Sequence, residues 1–156
     1  MDDFSLTTFT SKGKLIFLIE VTFLIGKLLQ IEYALEAVQK AETALGIRGK
    51  DCVVLAVEKK QTSILIDEDS YHKVTHITGH LGATYAGLGP DFRVLMMKAR
   101  KETQKYWVEY MEDISVDTIC SKIASTIQEY TQSGGRRPFG NSILLCGYDD
   151  EGAHLY

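Results

Sequence analysis

Three histidines, His72, His76 and His80, stand four residues apart. On a helix that spacing would stack the imidazoles on one face, where they could hold zinc or nickel. The intervening Lys73-Val74-Thr75 and Ile77-Thr78-Gly79 are rich in β-branched residues and end in glycine, so strand and turn are expected, which scatters the rings. Gly87-Leu88-Gly89 could open a dinucleotide loop, but Phe92 stands at the third glycine position and no parallel βαβ unit surrounds it, so a tight turn is expected. Gly140-Asn141-Ser142-Ile143-Leu144 fails the nucleophile elbow at its last position, and neither a Walker A motif nor HExxH occurs. Arg136-Arg137 could take a phosphate or carboxylate, although an exposed basic pair in a loop is usually solvated and passive, and that is the expectation. Cys52, Cys120 and Cys146 are odd in number, far apart and set among apolar residues. They fit neither a disulfide framework nor a zinc pair and are expected as buried thiols in a reducing compartment.

The elements that must position these residues follow from hydrophobic spacing. Gln30 to Glu42 carries Ile31, Ala34, Leu35, Val38 and Ala41 at three- and four-residue intervals, the stripe of an amphipathic helix. Short β-rich runs follow over Thr43 to Ile47, Cys52 to Val57, Ile64 to Ile66 and Leu81 to Leu88, spaced as antiparallel hairpins. Gly89-Pro90-Asp91 then starts a long helix to about Met111, with proline in the first turn and Asp91 complementing the dipole. A second helix begins at the N-cap Ser115 and buries Val116, Ile119, Ile123, Ile127 and Tyr130 until Gly134-Gly135 stop it. Asn141 to Tyr148 is strand again, Asp149 to Gly152 a turn, and His154-Leu155-Tyr156 the start of a hairpin partner.

With 156 residues, 45% hydrophobic and 24% charged, the chain has the length and composition of one packed domain. Its net charge of −4 offers no basic field for a polyanion, so nucleic acid is not expected as a partner. The one unusual stretch is Leu15 to Ile25, LIFLIEVTFLI, interrupted by Glu20 and Thr22 and shorter than the roughly 20 residues of a membrane helix. The chain opens Met1-Asp2-Asp3, without the basic start of a secretory signal, and no small-residue cleavage site follows Ile25. No membrane is therefore expected as a partner, and a cytosolic protein is.

Four collinear segments carry a family resemblance: Phe4 to Phe9 (FSLTTF), Gln30 to Val38 (QIEYALEAV), Val53 to Lys60 (VVLAVEKK) and Tyr130 to Gly140 (YTQSGGRRPFG). They resemble α-type subunits of the proteasome core particle, the first and last being most similar to the alpha type-2 branch. The resemblance runs from Gly26 to the end. It implies an α+β fold of the N-terminal-nucleophile hydrolase type, an antiparallel β-sandwich flanked by helix layers, with residues 1–29 as a gate-like tail and 30–156 as an incomplete subunit domain. Gly13-Lys14-Leu15 recurs as Gly26-Lys27-Leu28, and the second copy satisfies the family's pattern, which makes the apolar stretch a 13-residue surplus. Family members continue beyond the Tyr156 position, so roughly a third of a full sandwich is expected to be missing.

In the catalytic β-type relatives a processed threonine heads the first strand and serves as nucleophile, with its own α-amine as base. Aligning on Gly46 puts that position at Glu42, which has no hydroxyl. The resemblance therefore implies a non-catalytic member of the α ring, with no cofactor and no metal. Its implied partners are other α subunits, β subunits and the C-terminal tails of regulatory particles, and its implied locations are cytoplasm and nucleus. The enzyme alternative would use Thr43, Glu58 and Lys73 after cleavage behind Glu42. Glu58 and Lys73 fall where the β-type acid and lysine lie. In α subunits the Lys73 position resembles a lysine that meets a regulatory tail's terminal carboxylate, and Gly87 resembles a pocket-wall glycine. The gate's Tyr-Asp-Arg-like triplet falls on Asp2, Asp3 and Phe4, its proline on Ser11, and its helix tyrosine on Tyr33, the one gate residue that matches.

Overall fold

The computed structural model describes residues 8–9, 15–16, 29–60, 63, 65, 67, 70–133 and 136–156. Phe4, Ser11, most of the Leu15 to Ile25 stretch and Gly134-Gly135 lie outside the described residues. The elements are β1 (Thr8–Phe9), β2 (Leu15–Ile16), α1 (Leu29–Gln39), β3 (Ala44–Arg48), β4 (Val53–Val57), β5 (Val74–His76), β6 (Leu81–Gly87), α2 (Gly89–Tyr110), α3 (Val116–Gln132), β7 (Asn141–Asp149) and β8 (Gly152–Leu155). β1 and β2 form a small antiparallel pair.

β5, β6, β7 and β8 form a four-stranded antiparallel sheet in that order, and β3 pairs with β4 from Ala44 opposite Val57 to Arg48 opposite Val53. Strand alternation sends successive side chains to opposite faces. Leu81, Ala83, Tyr85 and Leu145 point to one face of the larger sheet and meet Phe92, Leu95, Met96 and Ala99 of α2 and Val116, Ile119 and Ile123 of α3 in the hydrophobic core. On the opposite face β3 and β4 pack against the sheet, closely enough that a Cβ on Gly46 would stand 3.0 Å from Leu155 Cδ1. The result is the two-sheet sandwich that the resemblance implies, with the α2–α3 layer on one side. The outer face of β3–β4 carries Leu45, Ile47 and Val54, all more than half exposed.

Helix positions come out close to the sequence reading, because their signals are local. Ser115 caps α3 by accepting from Thr118 N at 3.3 Å, and α2 ends at a left-handed Met111. Departures occur where a side chain's partner is remote. Leu35 of the α1 stripe is 56% exposed while Ala34 beside it is buried. Leu65 lies in a turn and not a strand, and Ile64 and Ile66 flanking it are outside the described residues. Cys52 is exposed, contrary to the expectation of a buried thiol, because it sits in the β3–β4 turn where its carbonyl accepts from Gly49 N at 2.7 Å. Cys120 and Cys146 are half-buried, and burial pushes both thiols up.

Arg136-Arg137 is not the passive pair expected. Arg137 grips Asp91 through both carboxylate oxygens at 2.6 and 2.7 Å, and Asp91 also accepts from Gly140 N at 3.0 Å. Both side chains are largely buried, so the pair locks the first turn of α2 to the loop before β7. Arg136 pairs with Glu129 at 2.8 Å and lies over the Tyr130 ring. Beside this lock the chain leaves β6 through Gly87, at φ 123°, where a Cβ would fall 2.2 Å from Gly140 O. Gly87→Ala combines a left-handed non-glycine residue with a backbone clash and is expected to cost about 2 kcal/mol or more. A thermal melt should show Tm lowered by roughly 5 °C or more; an unchanged Tm would mean that the β6–α2 corner relaxes freely.

Candidate functional site

The three ends that the β-type chemistry would use meet in this chain: the residue before β3, the residue after β4 and the residue before β5. The β3–β4 register places Thr43 opposite Glu58, and Glu58 N donates to Thr43 O at 2.9 Å. Lys73 enters from β5, its backbone held by Thr84, whose hydroxyl donates to Lys73 O at 3.0 Å.

Lys73 is 4% exposed. Its ammonium donates to Glu42 Oε2 at 3.0 Å and to the Glu58 carbonyl at 2.9 Å, and it lies 5.9 Å from the centre of the Tyr85 ring. A buried lysine needs such partners, since an uncompensated ammonium in the interior costs several kcal/mol. The hydrogen bond from Lys73 holds the Glu42 carboxyl below its ordinary range. Behind the pair, the Tyr85 hydroxyl bonds Tyr71 at 3.3 Å, its ring stacks on Phe92 at 4.3 Å, and burial pushes its pKa up.

Sequence reasoning brought Lys73 and Glu42 to this region together with Glu58. Its side chain is exposed, and it serves the lysine through its backbone carbonyl while Glu42 supplies the carboxylate. Thr43 is internal to the chain, and its amide nitrogen is part of a peptide bond and not a free amine. Gly87 lies two residues along β6 from Tyr85, and the chain's own approach to Gly140 already demands a glycine there. Tyr33 is half-buried on α1, which packs against β6 and β7. The three histidines separate as expected of strand and turn: His72 and His76 are exposed, while His80 bonds Ile114 O at 3.0 Å and Thr78 at 3.2 Å. Among the described residues no cluster of His, Cys, Asp and Glu could hold a metal ion. Tyr71 and the Asp91–Arg137 lock were not foreseen; the Arg-Pro-Phe-Gly run was the available signal, but nothing in it names a partner 46 residues away.

Glu42 carries a depressed pKa in the folded chain, so its pairing stabilises the fold above the ordinary carboxyl value of 4.5 and is lost as pH falls through the lower folded value. Melts from neutral pH down into the acid range should show Glu42→Gln less stable than the parent at neutral pH, with the difference shrinking as the pH falls. A constant difference across the range would show that the carboxylate's charge is irrelevant.

A family model described as "Proteasome subunit" matches residues 38–156. Proteasome subunit alpha type-2-A of Arabidopsis thaliana is 48% identical over 153 residues, and alpha type-2 of Dictyostelium discoideum is also 48% identical over 153 residues. Alpha type-2 of Drosophila melanogaster is 44% identical over the same length. Each alignment takes in 98% of this chain and 60% of the relative, so the chain spans about three-fifths of the length of the curated relatives it matches. With a two-sheet sandwich, a helix running into β3 and the family model covering three-quarters of its length, this chain belongs to the proteasome subunit family.

Proposed function

We propose that the chain is a non-catalytic structural subunit of the proteasome core particle's α ring. In this reading it contributes to ring assembly, pore gating and regulatory-particle docking in ubiquitin-dependent protein degradation, in cytoplasm and nucleus. One observation supports it above the others: at the head of β3, Glu42 stands where a nucleophile would, and it neutralises Lys73. A Ser or Thr nucleophile needs a base poised to take its proton; here the lysine's hydrogen bonds go to a carboxylate and a carbonyl. The names of the relatives, all alpha type-2 subunits, agree with this assignment.

The partners in this reading are neighbouring α subunits, the β ring and the C-terminal tails of regulatory particles. The exposed apolar face of β3–β4, with Leu45, Ile47 and Val54, is surface that a free soluble chain gains by covering. Lys73 and Gly87 are the tail-docking residues, and Phe4 and Tyr33 the gate-associated ones. Among the described residues no helix is long and apolar enough to cross a membrane.

Cells expressing the chain with a C-terminal tag should show it comigrating with peptidase-active core particle on a native gel. Mass spectrometry of that band should find the peptide spanning Glu42-Thr43 uncleaved. Migration only as free or aggregated chain would leave the family membership and remove the function; a new N-terminus at Thr43 would restore the threonine-amidohydrolase alternative.

A further inference from the structure

Lys73 is the cation to which the proposed function assigns a regulatory tail's carboxylate, yet in this chain it already has one. Its Nζ carries three protons. One bonds Glu42 and one bonds the Glu58 carbonyl, while the Tyr85 ring lies 5.9 Å away. With 4% of the residue exposed, no open approach to the ammonium remains. The two partners of the ion pair differ in one respect: the Glu42 side chain is 34% exposed. Glu42 is therefore the more solvent-exposed member of the pair. It also sits in the irregular link between the end of α1 at Gln39 and the start of β3 at Ala44, where a side chain can turn outward without breaking a strand pair.

We propose that Glu42 is an intramolecular occupant of the Lys73 site, a carboxylate that an incoming peptide C-terminus must displace. This rests on the reading that Lys73 receives a carboxylate-ended tail, and it adds the residue that sets the affinity. The exchange is charge-neutral at Lys73: one carboxylate leaves to water as another arrives, so the buried ammonium is never stranded. The cost is a reduced apparent affinity, since only the fraction of chains with Glu42 swung out can bind. Glutamine at position 42 keeps the shape and removes the charge, so Lys73 should become the better partner for an external carboxylate.

The test titrates a short fluorescent peptide with a free C-terminal carboxylate, and separately its C-terminal amide, into the full chain and its variants. Glu42→Gln is expected to bind the carboxylate peptide on the order of tenfold more tightly than the parent, with no gain for the amide. Glu42→Ala serves as the second variant and should give the same direction, with circular dichroism confirming that both remain folded. Adding Lys73→Ala to Glu42→Gln should abolish the gain. If neither Glu42 variant gains affinity while Lys73→Ala still weakens binding, Glu42 does not compete and the tail reading stands. If Lys73→Ala changes nothing in either background, the tail reading itself fails and the proposal falls with it.

Discussion

A lysine with 4% exposure cannot be left without a counter-charge, and the sandwich is arranged so that Lys73 has one. Satisfying it requires Glu42 before β3, the Glu58 carbonyl after β4 and the start of β5 to converge on one point. Those segments belong to two different sheets, so the ion pair fixes how the β3–β4 hairpin is laid on the larger sheet. The Thr84 hydroxyl, fully buried, holds the lysine's backbone from β6 and completes the arrangement from the inside. The Lys73 ammonium is closed off here by a carboxylate.

The second fixed point lies just past the same C-terminal end of β6. Asp91 is buried in the first turn of α2 and satisfied by the Arg137 guanidinium and Gly140 N. That fork brings the loop before β7 to within hydrogen-bonding distance of Leu88 N, which donates to Gly140 O at 2.9 Å. The approach leaves no volume for a side chain at Gly87. The pair of helices is thus tied to the sheet by a charged joint as well as by the packing of Leu95, Met96, Val116 and Ile119.

The helices were legible in the sequence because their evidence is local: Ser115 is three residues from the amide it caps, and Val116, Ile119 and Ile123 repeat on one face. The family, too, was legible, since its motifs are short and collinear. What escaped were interactions between residues far apart in the chain. Asp91 read as a dipole partner and Arg137 as solvated, although each is the other's main contact. Glu58 has the right residue type for an acid at that position, but strand alternation turns its side chain outward and leaves its carbonyl facing Lys73. Cys52 heads an apolar run, and only the turn geometry shows that the run begins after it.

The β3–β4 hairpin has one covered face, and a two-stranded sheet is marginally stable at best by itself. Its hold on the larger sheet combines contacts such as Gly46 against Leu155 with the Lys73 pair at its open end. Local opening of a protein proceeds through its least-buried cooperative unit. When this hairpin lifts, Glu42 and the Glu58 carbonyl leave together and Lys73 meets water in the same step. The buried charge thus has two routes to water, an outward turn of Glu42 alone and the lifting of β3 and β4 as a unit with their own pairing intact.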